Sequence, residues 1–287
     1  MCFPILISGY VQMILSTAND VLVPISLIKY NASSERALSE YGMFEAMIIP
    51  TIFYPSALLC SLSNILMPEI ARVHSSGNAE RMRSLVTKAL SSSLIFAFFT
   101  AGLFFMQGKN IGNVLCPSDP LVGETLVKMF PVIPFIYLEI ILESIIKGLG
   151  KQNFSTINSV CEYIIRIICV IVFVNLFGFT GVLISYYASN IYSNIIRIVV
   201  VCKTAKVHFN IRLFVLIPFI YSTASCVTAS AVIKLVRPIN PLFSAVIFIS
   251  SACIMFIAVY EGGKLVSKDS SDFITIIGRN RSNQTQI

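Results

Sequence analysis

Long apolar runs alternate with short polar connections along the whole chain. A bilayer core of about 30 Å needs about 20 residues of helix. Eight runs reach that length: 2–28 (A), 42–70 (B), 89–107 (C), 125–146 (D), 154–177 (E), 180–202 (F), 213–233 (G) and 241–260 (H). The pattern predicts an all-α, polytopic membrane protein with eight transmembrane helices. The connections carry helix breakers: GKNIGNVLCPSDP after C, GLGKQN after D, FGFTG after E and RPINP after G. Between B and C, Pro68 is placed to end a helix and residues 75–78 (SSGN) to form a turn. Residues 79–90 then mix basic side chains with Met82, Leu85, Val86 and Leu90. Such an amphipathic stretch suits a headgroup zone, or a solvated lead-in to helix C.

Composition agrees with a lipid solvent. Of the 287 residues, 56% are hydrophobic and 12% charged, and the mean hydropathy is +0.82. A soluble domain carries about 25% charged residues. The eight cysteines form no CxxC pair and sit mostly in apolar runs, so they read as small apolar residues. His74 and His208 are far apart, and there is no phosphate loop, nucleophile motif or catalytic cluster. The chain is therefore not expected to be an enzyme, a metalloprotein or a cofactor binder. Met1 lacks a basic segment before the first apolar run, so no cleaved signal peptide is expected.

The net charge of +7 could point to nucleic acid. Its placement points to topology instead. The B–C, D–E and F–G connections and the C-terminal tail hold 13 of the 21 Lys and Arg residues, the opposite loops hold five, and Lys128, Arg166 and Arg197 lie within helices. By the positive-inside rule both termini are cytoplasmic, with no nucleic-acid partner.

Ionisable groups inside apolar helices are costly and usually face a cavity or another helix. Glu162 and Arg166 are four residues apart on E and can pair on one face. Glu139, Glu143 and Lys147 form a stripe on D, readable as a local ion pair at one end. Arg197, near one end of F, is expected to snorkel to the headgroups. Asn19 and Asp20 interrupt helix A with no basic residue within four positions, so Asp20 needs water, another helix or a bound cation. The hydroxyl residues of G (Ser222, Thr223, Ser225, Thr228 and Ser230) suit close helix packing.

Several stretches resemble one family. GMFEAMIIPTIFYPSALLCSLSNILMPEIARVHSSGN (42–78) resembles the second helix of the C-terminal half of the MOP flippases, the superfamily that includes the MATE exporters. ILESIIKGLGKQNF (141–154) and STANDVLVPISL (16–27) resemble two further segments of that half. The nearest branch is that of polysaccharide, stage V sporulation protein B-like and lipid II flippase-type transporters. The resemblance implies helices 7–14 of a fourteen-helix fold. Residues 1–202 would form the six-helix C-terminal lobe, 203–266 two added helices and 267–287 a cytoplasmic tail.

The implied task is flipping an undecaprenyl-linked sugar precursor across the cytoplasmic membrane by alternating access, coupled to Na+ or H+. The pathway candidates are then Asn19, Asp20, Glu139, Glu162, Arg166 and Arg197. Arg166 is the best cavity cation for a pyrophosphate, and Asp20 would be the acid for a coupling cation or for sugar hydroxyls. The family's first six helices have no counterpart here, which implies a fragment, a half that joins a separate six-helix chain, or a homodimer. A MATE-type drug exporter fragment and a noncatalytic envelope-assembly scaffold remain the alternatives.

Overall fold

The computed structural model describes residues 2–31, 33–207, 212–236 and 247–254. All regular structure among them is helical. The helices are α1 (Cys2–Asn31), α2 (Ser34–Ser75), α3 (Ala79–Leu115), α4 (Leu121–Met129), α5 (Ile133–Gly148), α6 (Gln152–Phe177), α7 (Phe179–Ala205) and α8 (Ile217–Val236). Residues 247–254 are helical and belong to segment H. The rest of H, the tail 267–287 and His208 lie outside the described residues.

Five of the described helices are long and apolar enough to cross a membrane, or six when α4 and α5 are taken as one span bent by 58°. That bent pair is segment D, broken around Pro131. Helix α7 is not among the five, because Ser, Asn and Arg replace apolar residues along one of its faces. Segment C is longer than expected. Helix α3 starts ten residues earlier and absorbs the amphipathic lead-in, with Asn78 capping its N-terminus through Arg81 N–H (2.9 Å). It also runs through Gly108 and Gly112, which were expected to break it. These glycines are tolerated because α4 packs directly on them, against Gly123.

The main core runs through α1–α7 and includes Leu27, Phe44, Ile70, Leu90, Leu126, Tyr137, Ile141 and Val201. A small second cluster joins Phe99 of α3 to Cys226 and Ala229 of α8 and to Phe248 and Ala252. Small residues set the spacing, as expected where lipid provides no hydrophobic drive between helices. Ser144 of α5 donates to the Ser63 carbonyl of α2 at 2.8 Å, and a Cβ on Gly148 would lie 2.7 Å from the Met67 carbonyl oxygen. On α8, Ser222 donates to the Phe98 carbonyl at 2.8 Å, while Thr223, Ser225, Thr228 and Ser230 bond back to their own helix. Within the hydroxyl stripe of G, Ser222 therefore serves packing of α8 on α3.

Helix α2 is irregular at its centre. Pro50 and Pro55 remove two backbone donors there. The chain widens into a π turn at Phe44–Ile48 and tightens at Tyr54–Ser56. Side chains bond the carbonyls around the break: Tyr137 of α5 donates to the Ile52 carbonyl and Ser56 to that of Phe53, both at 2.7 Å. Tyr137 is fully buried. Tyr137→Phe should cost about 1–2 kcal/mol, the usual penalty for an orphaned buried acceptor. Thermal unfolding in detergent checks this, and an unchanged midpoint would show that the break holds without the tyrosine.

Candidate functional site

Helix α7 repeats a polar residue every four positions: Ser185, Ser189, Ser193 and Arg197, flanked by Asn190 and Asn194. Steps of four share one helix face, and all six are buried. The face is turned inward against α5 and α6. Polar groups hidden in this way need partners: Ser189, Ser193 and Arg197 find them on α5 and α6, while Ser185, Asn190 and Asn194 donate to carbonyls of their own helix.

Arg197 is the centre of the arrangement, with its side chain 1% exposed. Its Nη1 donates to Glu139 Oε1 of α5 at 2.8 Å and reaches Glu162 Oε2 of α6 at 3.5 Å. Nη1 also donates to Ser193, and Nη2 to Ser159 at 3.1 Å. Nε lies 3.5 Å from Glu143 Oε2, an ion contact without a hydrogen bond. One guanidinium therefore faces three carboxylates from two helices. The structure corrects the expectation of snorkelling. The acids converge on the interior, so the attraction inside outweighs escape to the headgroups.

Arg166 lies on the same network. Its Nη2 donates to Glu162 Oε1 at 2.9 Å and its Nε to Ser189 at 3.0 Å. The guanidinium stacks over Tyr186 at 4.4 Å and Tyr163 at 5.4 Å. Glu143 pairs with Lys147 at 3.1 Å, as its spacing implied, and also accepts from Ser155. It is thus a member of the central cluster as well as of a local pair. Asn158 joins α6 to α7 by donating to Ser193 at 2.9 Å.

A cavity of about 450 Å³ opens on this network, lined among others by Phe53, Glu139, Glu162, Tyr163, Arg166 and Asn190. A second, of about 400 Å³, shares Glu139, Glu162 and Tyr163 and extends along Gly9, Gln12 and Ser16 of α1.

Asn19 and Asp20 stand apart from Arg197. Asp20 is exposed and accepts a long hydrogen bond from Tyr41 of α2 at 3.4 Å and another from Asn19 at 3.5 Å. Asn19 is buried, with its Oδ1 unpaired among the described residues. The partner helix for Asp20 is therefore α2, through a hydroxyl and not a cation. Glu45 lies within electrostatic range of Asp20, Tyr41, Tyr186 and Arg166, which links this acidic end to the main network.

Four of the six sequence candidates, Glu139, Glu162, Arg166 and Arg197, thus meet in one network, and the other two sit at its edge. The serines, asparagines and tyrosines that complete it were not singled out. The four-residue repeat on α7 was their signal. It was hidden because each of those residues is unremarkable alone.

A bundle of long apolar helices that close around a charged cavity is that of a multi-pass membrane protein, and its fold is similar to that of a solved flippase. One similar solved structure is the lipid II flippase MurJ in an inward closed conformation, with a TM-score of 0.58 and 18% identity over 91% of this chain. The chain spans 53% of that protein's length. No protein-family model matches the sequence, and no curated protein does.

Proposed function

We propose that this chain is the C-terminal half of a flippase that moves a lipid-linked sugar precursor across the cytoplasmic membrane by alternating access. One observation carries the reading: an ion network of three carboxylates and two guanidiniums, lining a cavity, lies among membrane-spanning helices of a flippase fold. Charges at that depth are maintained at a cost, which is understandable where a polar cargo or ion passes. The fold alone does not distinguish a cargo. The GLGK stretch (148–151) and the basic connection between segments B and C favour that cargo over a drug cation.

Rocking one body against another needs two bodies. A six-helix partner half, or a second copy, completes the cavity in this reading. Vesicles holding the chain with a matching six-helix half should therefore flip a fluorescent undecaprenyl-pyrophosphate sugar. The chain as a monomer should not. No flipping in any pairing, homodimer included, refutes the proposal.

Asp20 is the proposed contact for a coupling cation, Na+ or H+, or for sugar hydroxyls, because it is exposed on an otherwise apolar helix without a basic partner among the described residues. Asp20→Asn keeps the shape and removes a charge from the membrane, so insertion should stay near normal. Flipping per inserted molecule should fall by about tenfold or more, the loss of one charged contact. Full activity per molecule would make Asp20 a packing residue.

Both termini are proposed to be cytoplasmic, from the distribution of Lys and Arg. Maleimide labelling of Arg81→Cys should need access to the cytoplasm, and that of Ser118→Cys should occur from outside. Both variants need a background without the native cysteines. The reverse pattern would invert the topology.

A further inference from the structure

We infer that the cavity between α5, α6 and α7 is a subsite for a sugar ring of the cargo and not for its pyrophosphate, an inference that rests on the lipid-linked-sugar reading above. Charge is the first reason. Glu139, Glu143 and Glu162 are balanced by Arg166, Arg197 and Lys147, all in mutual ion pairs. No positive charge is left over for a pyrophosphate, which carries only acceptors and at least two negative charges. Arg166, the natural phosphate ligand by sequence, is engaged by Glu162 and Ser189 and stacked on Tyr186.

The uncommitted atoms are the second reason. Asn190 is 3% exposed and lines the cavity. Its Nδ2 donates to the Tyr186 carbonyl at 2.9 Å, which leaves Oδ1 without a donor among the described residues. Glu139 also lines the cavity. Its Oε1 is taken by Arg197, and its Oε2 has no donor among the described residues. Two acceptors that face a cavity without a donor from the described residues can take O–H or N–H donors. Phosphate oxygens offer none, whereas a sugar ring offers several. Arg166 Nη1 has no hydrogen bond among the described residues and supplies a donor for a ring or hydroxyl oxygen. Phe53 and Tyr163 add ring surfaces to the wall. The negative face of an aromatic ring suits the C–H face of a pyranose. The volume of about 450 Å³ is ample for one ring or two.

The chain has no tryptophan, so Phe53→Trp places a single reporter in the cavity wall without background. The full chain carrying this reporter, in lipid–detergent micelles, is titrated with glucose, galactose, N-acetylglucosamine and N-acetylgalactosamine, and separately with inorganic pyrophosphate. At least one sugar should shift the emission in the range up to about 100 mM, the weak end expected of a fragment held by a few contacts. Pyrophosphate should act more weakly than that sugar. Glu139→Gln and Asn190→Ser, each in the reporter background, should weaken the sugar response about tenfold or more, the loss of a charged or buried hydrogen bond. Two substitutions at different helices guard against one that fails to fold.

The subsite is overturned if pyrophosphate acts at lower concentration than every sugar, if no sugar acts at all, or if both variants respond like the parent. Flipping that persists with such a result would remove the subsite and leave the proposed function standing. Sugar binding without flipping in any pairing would remove the function and leave the subsite.

Discussion

Arg197→Gln is expected to remove most of the folded protein. The guanidinium is the shared counter-charge of Glu139, Glu143 and Glu162, and its side chain is 1% exposed. Without it, three carboxylates face one another across α5 and α6, with only Arg166 and Lys147 left to answer them. Removing one partner from a buried ion network costs about 3–5 kcal/mol, because the remaining charge stays buried and uncompensated. That is a large share of the stability of a typical protein. Arg197→Lys should recover only part of the yield, since an ammonium lacks the fork that spans Glu139, Ser159 and Ser193 at once. Adding Glu139→Gln to Arg197→Gln should recover some yield by removing one of the stranded acids. The measurement is monodisperse protein after detergent extraction. A normal yield for Arg197→Gln would mean that water already screens the cluster.

Gly112→Ala is expected to be nearly as damaging, for a steric reason. A Cβ at Gly112 would lie 2.2 Å from Gly123 Cα and 2.3 Å from Gly123 N. These are backbone atoms, so no rotamer change can make room. Helices α3 and α4 would have to separate along their whole contact, which also includes Gly108 against Val127. Overpacking a rigid site costs about 1–3 kcal/mol and at times more. Gly42→Ala is the control: the added Cβ meets nothing within 4 Å, and the glycine lies within a helix. That change should be neutral or should stabilise by up to about 1 kcal/mol through propensity. Unfolding midpoints of both variants in one detergent check the pair. If the two alanines behave alike, the α3–α4 contact is looser than its geometry.

Some of the site is legible in the sequence. Glu162–Arg166 and Glu143–Lys147 pair at the spacing that their sequence positions imply, because helix periodicity alone brings residues four apart together. The membrane class was legible for the same kind of reason. Apolar runs of helix-spanning length need no knowledge of their neighbours to be recognised. The break in segment D was not foreseen, although Pro131 and Pro134 mark it.

Arg197 shows where sequence reasoning stops. Its position near a helix end reads as a snorkelling cation. Its role as the hub of three acids follows from α5 and α6 presenting Glu139, Glu143 and Glu162 to one point, at separations of 35 to 58 residues. Asn190 and Ser193 likewise acquire meaning only from what faces them. The same holds for Gly112, which reads as a helix breaker and proves to be a contact surface for Gly123. Local periodicity and hydropathy determine which segments are helices in lipid, because those properties are set within one helix. Which polar faces meet, and so where the cavity lies and what it can hold, is decided by packing between helices, because a buried charge is defined by partners distant in the chain.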